Sequence, residues 1–369
     1  MKEIDNYKIE NIKKIDTPAL LIYPAIVERN IQHLTSLFSD VKQIRPHIKT
    51  HKCPQIVQLL NDAGITKFKC ATIAEAEMLA SVGVADILMA YQPIGPKIDR
   101  FIDLVTRFYS CSFSCLIDNT NIAVAISEAA QQAGLKVNCY IDLDTGMNRT
   151  GIKPGAEAKE LFLYVCQLPG INIIGVHSYD GHLTDYDVNI RLKKAEEGYQ
   201  SVLSLVNDLN KAKNLSLRIV AGSSPTLSFY AKQIDVECCP GTFIYWDQCY
   251  RDMYPELPFE FAALVVTRVI SKPDANAVCL DLGYKAIASE ESLDKRVKLL
   301  NHSILNISSQ SEEHLLTTTT KELPIGEIIY GIPYHIGRTC NLYESVAVVE
   351  NKQVSKYWTN AARSRRISI

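Results

Sequence analysis

The stretch SFSCLIDNTNIAVAISEAAQQAGLKVNCYIDL at residues 112–143 decides the predicted fold. Ser112 to Ile117 and Val137 to Leu143 are short β-rich runs, and the segment Asn119 to Ala133 between them repeats its apolar residues at helical spacing. A strand, a helix and a second strand in this order are typical of a βα unit in a parallel sheet. The same alternation recurs along most of the chain.

Eight β-rich runs alternate with helical segments of about 10 to 20 residues. Eight units predict closure into an α/β fold of the (β/α)8 TIM-barrel type, in which every loop that follows a strand lies at one catalytic rim. The runs are Gln43 to Ile48, Lys67 to Thr72, Asp86 to Ala90, Ser112 to Ile117, Val137 to Leu143, Ile171 to Val176, Leu217 to Ala221 and Ile234 to Cys239.

A second pattern begins at about Phe259, where β-rich segments separated by turns replace the βα alternation. This pattern is typical of a mostly antiparallel β domain. The early run Ala19 to Tyr23 precedes the barrel strands, so we expect it to pair with this second domain. We therefore divide the 369 residues into a strand and helix at 1–40, a barrel at 41–255 and a β domain at 256–369.

Composition and charge favour a small-molecule partner. The formal net charge is -2 with both signs interspersed, which excludes a field strong enough to recruit nucleic acid or an anionic membrane. No stretch approaches the roughly 18 apolar residues of a membrane span, and residues 1–14 lack the apolar core of a secretory signal. The eleven cysteines form no C-x-x-C pair. We therefore expect a cytoplasmic protein with reduced thiols.

A cluster of basic residues follows the first predicted barrel strand, in the segment RPHIKTHK at 45–52. Neighbouring cations and burial would lower the pKa of Lys49, as Schiff-base chemistry with an aldehyde requires. The alternative is a solvated basic loop.

Two glycine motifs follow the seventh and eighth predicted strands. GSSPT at 222–226 supplies close backbone approach, hydroxyl groups and a helix start, and Gly241-Thr242 comes after the next strand. A phosphate held by these two loops is a recurring site of this barrel type. The alternative for each motif is a turn before a helix.

Seven motifs in order carry a family resemblance. They resemble the D-threonine aldolase and D-serine dehydratase family, whose barrel is similar to that of alanine racemase, and the likeness covers nearly the whole chain. The motifs are RPHIKTHK (45–52), DTGMNRTG (144–151), HSYDGH (177–182), GSSPT (222–226), PGTFIYWD (240–247), SEEHL (311–315) and PYHIGRT (333–339).

The resemblance implies roles for individual residues. Lys49 would carry pyridoxal phosphate as a Schiff base and serve as a base or acid at the substrate Cα. His182 would lie close to the substrate hydroxyl, where it is a suitable general base for retro-aldol cleavage. The other implied cofactor-binding residues are Arg149 and Tyr179 near the ring, Gly222, Ser223, Gly241 and Thr242 at the phosphate, and His47, His177 and Ser224.

This sequence departs from the family at its metal site. The family pattern places a cysteine or aspartate two residues after a histidine, whereas here His335 is followed by Gly337, which has no side chain to coordinate an ion. Manganese or zinc held by one nitrogen would bind weakly. Cys340 lies nearby but in a different register of the pattern, so we expect little retained metal.

The resemblance predicts a pyridoxal-phosphate-dependent lyase that acts on a β-hydroxy D-amino acid, in a homodimer. Because Gly337 removes the metal that would assist dehydration, we prefer retro-aldol cleavage to glycine and an aldehyde over a D-serine dehydratase-like ammonia-lyase. Two further alternatives stay open. An amino-acid racemase would need a second acid or base opposite Lys49, and a pyridoxal-phosphate-binding protein without catalysis would leave every D-amino acid unchanged.

Overall fold

The computed structural model describes residues 4–302 and 305–369, which fall into two compact units. The first, here called the β unit, comprises the chain up to His33 together with Thr242–Arg363. The second, the barrel unit, comprises Leu34–Gly241 and Ser364–Ile369. The division into separate folding domains near residues 40 and 255 stays a prediction.

The secondary-structure elements are numbered in chain order. The strands are β1 Ala19–Ile22, β2 Lys67–Cys70, β3 Asp86–Met89, β4 Ser112–Ile117, β5 Val137–Leu143, β6 Ile171–Ser178, β7 Arg218–Ala221, β8 Val236–Cys238, β9 Ala263–Asp274, β10 Ala277–Leu280, β11 Val297–Leu299, β12 Asn306–Gln310, β13 Leu315–Thr318, β14 Ile328–Pro333, β15 Ser345–Glu350 and β16 Gln353–Thr359. The α-helices are α1 Pro24–Ser36, α2 Pro54–Asp62, α3 Ile73–Ser81, α4 Pro96–Arg107, α5 Thr120–Gln132, α6 Ala156–Val165, α7 Val188–Lys213, α8 Leu227–Tyr230, α9 Gln248–Met253 and α10 Ile336–Cys340.

The barrel unit is built on a parallel sheet in the order β2-β3-β4-β5-β6-β7-β8. Seven of the predicted runs coincide with these strands to within one or two residues at each end. Their inward side chains form an apolar core that comprises Leu88, Leu116, Tyr140, Val220 and Cys239. This parallel sheet with its intervening helices confirms the predicted α/β class of the barrel unit.

The first predicted strand, Gln43 to Ile48, is not a strand. Ile44 makes a single parallel bridge to Cys238 on one side, and His47 makes a single bridge to Lys69 on the other. Pro46 has no N–H group to extend the ladder, although its carbonyl accepts a hydrogen bond from the Lys69 amide. The segment at residues 44–47 therefore links β8 to β2 by isolated bridges where an eighth strand was expected.

Helix α5 shows how the sequence sets the βα period. The Asn119 side chain accepts a hydrogen bond from the Ile122 amide and begins the helix. Ala123, Ile126 and Ala130 recur at helical spacing and are fully buried. The helix therefore packs one apolar face inward while its start and end fix the lengths of the flanking loops.

The β unit contains a mostly antiparallel sheet in the order β12-β13-β10-β9-β1-β15-β16, with β14 paired to both β9 and β11. Strand β1 pairs antiparallel with β9 and parallel with β15, and it therefore lies inside this sheet. The sequence patterns did not reveal the short strands β11, β12 and β16. No described helix is long and apolar enough to cross a membrane.

Candidate active site of the barrel unit

Lys49 lies in a short turn, Ile48–Thr50, directly after the segment that links β8 to β2. The turn is capped by His47, whose Nδ1 accepts a hydrogen bond from the Lys49 amide at 3.1 Å. The Lys49 Nζ atom lies 5.6 Å from the centroid of the Tyr179 ring. The tight turn therefore fixes the backbone of Lys49 and leaves its amine beside an aromatic ring.

The environment of Lys49 favours its neutral amine. Its side chain reaches solvent, yet the protein surrounding it and the positive charges of Lys69 and Arg149 lower the pKa of Lys49 from 10.5 to about 8. Desolvation is the largest cause and the two cations add to it. A lysine must lose its proton before it attacks an aldehyde, so this shift suits Schiff-base chemistry near neutral pH.

Tyr179 and Arg149 come from different loops and stack against each other. The Arg149 guanidinium carbon lies 4.8 Å from the centroid of the Tyr179 ring. The loop that carries Arg149 is held by Asp118, which accepts a hydrogen bond from the Gly151 amide at 3.1 Å. The Tyr179 hydroxyl packs against Gly181. A Cβ atom on Gly181 would lie only 2.1 Å from the hydroxyl oxygen. Both side chains therefore lie near Lys49.

His177 takes part in a buried polar chain that crosses the barrel interior. Its Nδ1 lies 2.8 Å from the Asp142 carboxylate, and its Nε2 lies 3.4 Å from the Nζ of Lys69. The other Asp142 oxygen accepts a hydrogen bond from Gln92 at 3.0 Å. Burial and the Lys69 charge lower the pKa of His177, and its hydrogen bond helps to hold the pKa of Asp142 below its usual value.

The sequence interpretation missed Lys69, Asp142 and Gln92. Lys69 had a visible signal, because it occupies the same face of β2 as Lys67, between the apolar residues Phe68 and Cys70. A charged residue in the middle of a predicted barrel strand points to an interior polar site. Asp142 carries the same signal within the apolar run of β5.

The two predicted phosphate-binding loops are joined by a hydrogen bond. The Gly241 amide donates to the Ser224 hydroxyl at 3.2 Å, and the Ser223 hydroxyl donates to the buried Asp180 carboxylate at 2.6 Å. Gly222 has a φ of +85°, and a Cβ atom there would lie 2.5 Å from the Tyr230 ring. Only glycine fits this position without displacing its neighbours.

His182 packs against the loop at residues 144–151. Its Nε2 lies 2.8 Å from the position that a Cβ atom on Gly146 would occupy, and Gly146 has a φ of +124°. The Nδ1 of His182 is buried, and this nitrogen has no hydrogen-bond partner among the described residues.

Three of the predicted site residues, Thr242, His335 and Cys340, lie in the β unit. Thr242 begins a short turn whose first carbonyl accepts hydrogen bonds from Tyr245 and Trp246. The Nδ1 of His335 contacts the Glu290 carboxylate, which also lies 3.3 Å from the Arg338 guanidinium. Their roles in cofactor and metal binding stay predictions.

The metal-binding pattern of the family does not fit the side chains around His335. Gly337 lies inside helix α10, and the Cys340 side chain at the end of that helix is buried. In residues 4–302 and 305–369 no group of three or more histidine, cysteine or carboxylate side chains is placed to hold an ion. His335 and Glu290 supply two donor groups. This number is smaller than the number of protein ligands in sites that retain zinc.

The barrel unit does fit pyridoxal phosphate. The cofactor combines an aldehyde with a phosphate dianion, so it needs a neutral amine, backbone donors and positive charge. Lys49 supplies the amine, and the glycine positions at 222 and 241 allow close backbone approach. Arg149 and Lys69 supply positive charge within reach of the Tyr179 ring.

Known proteins resemble this chain over nearly its full length. D-threonine aldolase from Arthrobacter sp is 25% identical over 95% of this chain and 94% of that protein. 3-Hydroxy-D-aspartate aldolase from Paracoccus denitrificans is 24% identical over 95% and 93%. The crystal structure of D-threonine aldolase from Filomicrobium marinum superposes with a TM-score of 0.88 at 24% identity, covering 95% of this chain and 96% of that one.

Two family models match successive parts of the chain. The model described as a putative serine dehydratase domain matches residues 262–349. The model of the alanine racemase N-terminal domain matches residues 22–248, more than half of the chain, and includes the turn with Lys49 and both glycine loops. The chain belongs to the alanine racemase N-terminal domain family.

Proposed function

We propose that this chain is a pyridoxal-phosphate-dependent lyase that cleaves a β-hydroxy D-amino acid to glycine and an aldehyde. The observation that carries the proposal is Lys49, whose pKa is lowered to about 8, beside Tyr179 and Arg149 in a unit that also presents joined glycine loops. The similarity to a D-threonine aldolase and a 3-hydroxy-D-aspartate aldolase over nearly the whole chain supports the substrate class.

Each residue group has a distinct task in this proposal. Lys49 binds the cofactor aldehyde covalently, and the loops at Gly222 and Gly241 hold the phosphate. The cofactor, when bound, supplies the electron sink that stabilises negative charge at the substrate Cα. Arg149 and Tyr179 hold the ring in place, because their stacked side chains lie next to Lys49.

His182 takes the proton from the substrate hydroxyl in the proposed cleavage. Retro-aldol cleavage requires a base at this hydroxyl, and a histidine ring nitrogen is suited to that task. The buried Nδ1 of His182 has no hydrogen-bond partner among the described residues. Gly146 lets the ring pack closely against the loop that also carries Arg149.

Dehydration is the second candidate, favoured by the match of residues 262–349 to a putative serine dehydratase domain. Loss of the hydroxyl needs an acid or a metal ion, and we propose that the ion is not tightly retained because Gly337 replaces a ligand. Racemisation would require an acid or base opposite Lys49. Incubation of each enantiomer in heavy water would detect it as solvent label with inversion.

We further propose a cytoplasmic homodimer. All eleven cysteines are free thiols in the structure, which agrees with a reducing compartment. Sedimentation equilibrium of the purified full chain would measure its mass, and a monomer at micromolar concentration would contradict the dimer.

A D-amino-acid panel tests the main proposal. The purified holoprotein is incubated with D-threonine, D-3-hydroxyaspartate and D-serine, with and without added manganese. We expect glycine and an aldehyde from at least one β-hydroxy substrate, and no product from the Lys49→Ala control. Formation of ammonia and a keto acid without glycine would establish the dehydratase instead.

A further inference from the structure

We propose that Lys69 is a second lysine of this site, a positioning residue whose positive charge raises the neutral fraction of the Lys49 amine for its reaction with the cofactor. The proposal rests on the proposed role of Lys49 and deepens it. It concerns a side chain that lies in the barrel interior and is only 2% exposed.

The geometry brings the two lysines together at one aromatic ring. The Nζ of Lys69 lies 5.6 Å from the centroid of Tyr179, the same distance as the Nζ of Lys49. The two nitrogens therefore lie within twice that distance of each other. At this range, in a site partly screened from water, a positive charge on one nitrogen disfavours a proton on the other.

His177 holds Lys69 in place without neutralising it. The ionised Asp142 accepts a hydrogen bond from the Nδ1–H of His177, which leaves the Nε2 lone pair to accept a hydrogen bond from Lys69. Burial and the cations around it lower the pKa of His177, so the imidazole is neutral. The Cys239 thiol, the buried Asp180 carboxyl and the His47 imidazole are further titratable groups near Lys69.

No carboxylate among the described residues forms an ion pair with Lys69. The other nearby lysines differ in this respect, because Lys52 pairs with Glu75 and Lys67 pairs with Glu237. The effect of Lys52 on Lys49 is opposed by Glu75, whereas no described carboxylate is in ion-pair contact with Lys69. The Lys69 charge does act on the buried Asp180 carboxyl, whose pKa is raised by burial. Among the charged neighbours of Lys49, Lys69 contributes most to its lowered pKa.

The test measures the ionisation of Lys49 directly in the full-length apoprotein. Trace acetic anhydride labels neutral amines, and peptide mapping then gives the labelling rate of Lys49 at each pH. Three variants are compared with the wild type. Lys69→Met removes the charge, Lys69→Arg retains it, and Lys67→Met removes a lysine from the same strand that is already paired with Glu237.

We expect Lys69→Met to move the midpoint of Lys49 labelling to higher pH and to reduce its labelling rate at pH 7.5 by about threefold to tenfold. Lys69→Arg and Lys67→Met should keep the wild-type midpoint. An unchanged midpoint in Lys69→Met would overturn the proposal. An equal shift in Lys69→Arg or Lys67→Met would also overturn it, since the cause would then be altered packing or overall charge.

The experiment separates this proposal from the assignment of Lys49 as the cofactor lysine. Acetylation reports the proton on Lys49 whether or not this residue binds the cofactor. Borohydride reduction of the holoprotein followed by peptide mapping reports the cofactor linkage by itself.

Discussion

The Nε2 atom of His182 lies 2.8 Å from the point where a Cβ atom on Gly146 would stand. The ring thus occupies space that any other residue at position 146 would fill. Through this contact His182, the proposed general base, packs against the loop at residues 144–151, which also carries Arg149. A change of one methyl group in that loop is therefore expected to displace the histidine.

Gly146→Ala should lower kcat for retro-aldol cleavage by about tenfold or more, because the added methyl group moves His182 away from the substrate hydroxyl. Gly134→Ala is the matched control, since Gly134 also has a positive φ of +68° but no atom within 4 Å of its Cβ position. The control should keep kcat within about twofold of the wild type. Equal losses in both variants would assign the effect to backbone strain.

Lys49→Ala should abolish the visible absorbance that a lysine-bound pyridoxal phosphate gives, because no amine remains to bind the aldehyde. Lys52→Ala should retain the absorbance, since the Lys52 ammonium pairs with Glu75. The measurement is an absorbance spectrum with borohydride reduction and peptide mapping. A pyridoxyl group mapped to Lys52 in the wild type would show that Lys49 is not the cofactor lysine.

Gly222→Val should weaken cofactor affinity by about tenfold or more, because its side chain would meet the Tyr230 ring and move backbone amides away from the phosphate. Gly326→Val is the control, with a φ of +87° and open space around its Cβ position. Fluorescence titration of each apoprotein measures the dissociation constant, and circular dichroism checks folding. Unchanged affinity in a folded Gly222→Val variant would argue against the phosphate cradle.

Wild-type protein should contain less than one divalent ion per chain after purification, because His335 and Glu290 supply two donors where a retained ion needs more. Gly337→Cys or Gly337→Asp should raise the metal content, since position 337 would then supply a third donor two residues after His335. Elemental analysis with and without a chelator measures this. One chelator-resistant manganese or zinc per wild-type chain would mean that another residue completes the site.

The sequence by itself determined the parts of this protein that depend on local patterns. The period of strands and helices predicted a parallel barrel, because apolar spacing and helix starts such as Asn119 act over a few residues. The motifs at 45–52 and 222–226 likewise predicted Lys49 and the glycine loop as site residues, because these motifs are also local patterns. Charged neighbours and glycines are visible in a short stretch of sequence.

Only the tertiary structure decided which distant side chains meet. Lys69 and His177 are 108 residues apart in the chain, and no local pattern predicts their contact. The same is true of the hydrogen bond between Gly241 and Ser224, and of the contact between His335 and the Glu290 carboxylate. Such contacts depend on the order of the strands in the sheet and on the conformation of each side chain in the packed fold. Neither property is set by neighbouring residues in the sequence.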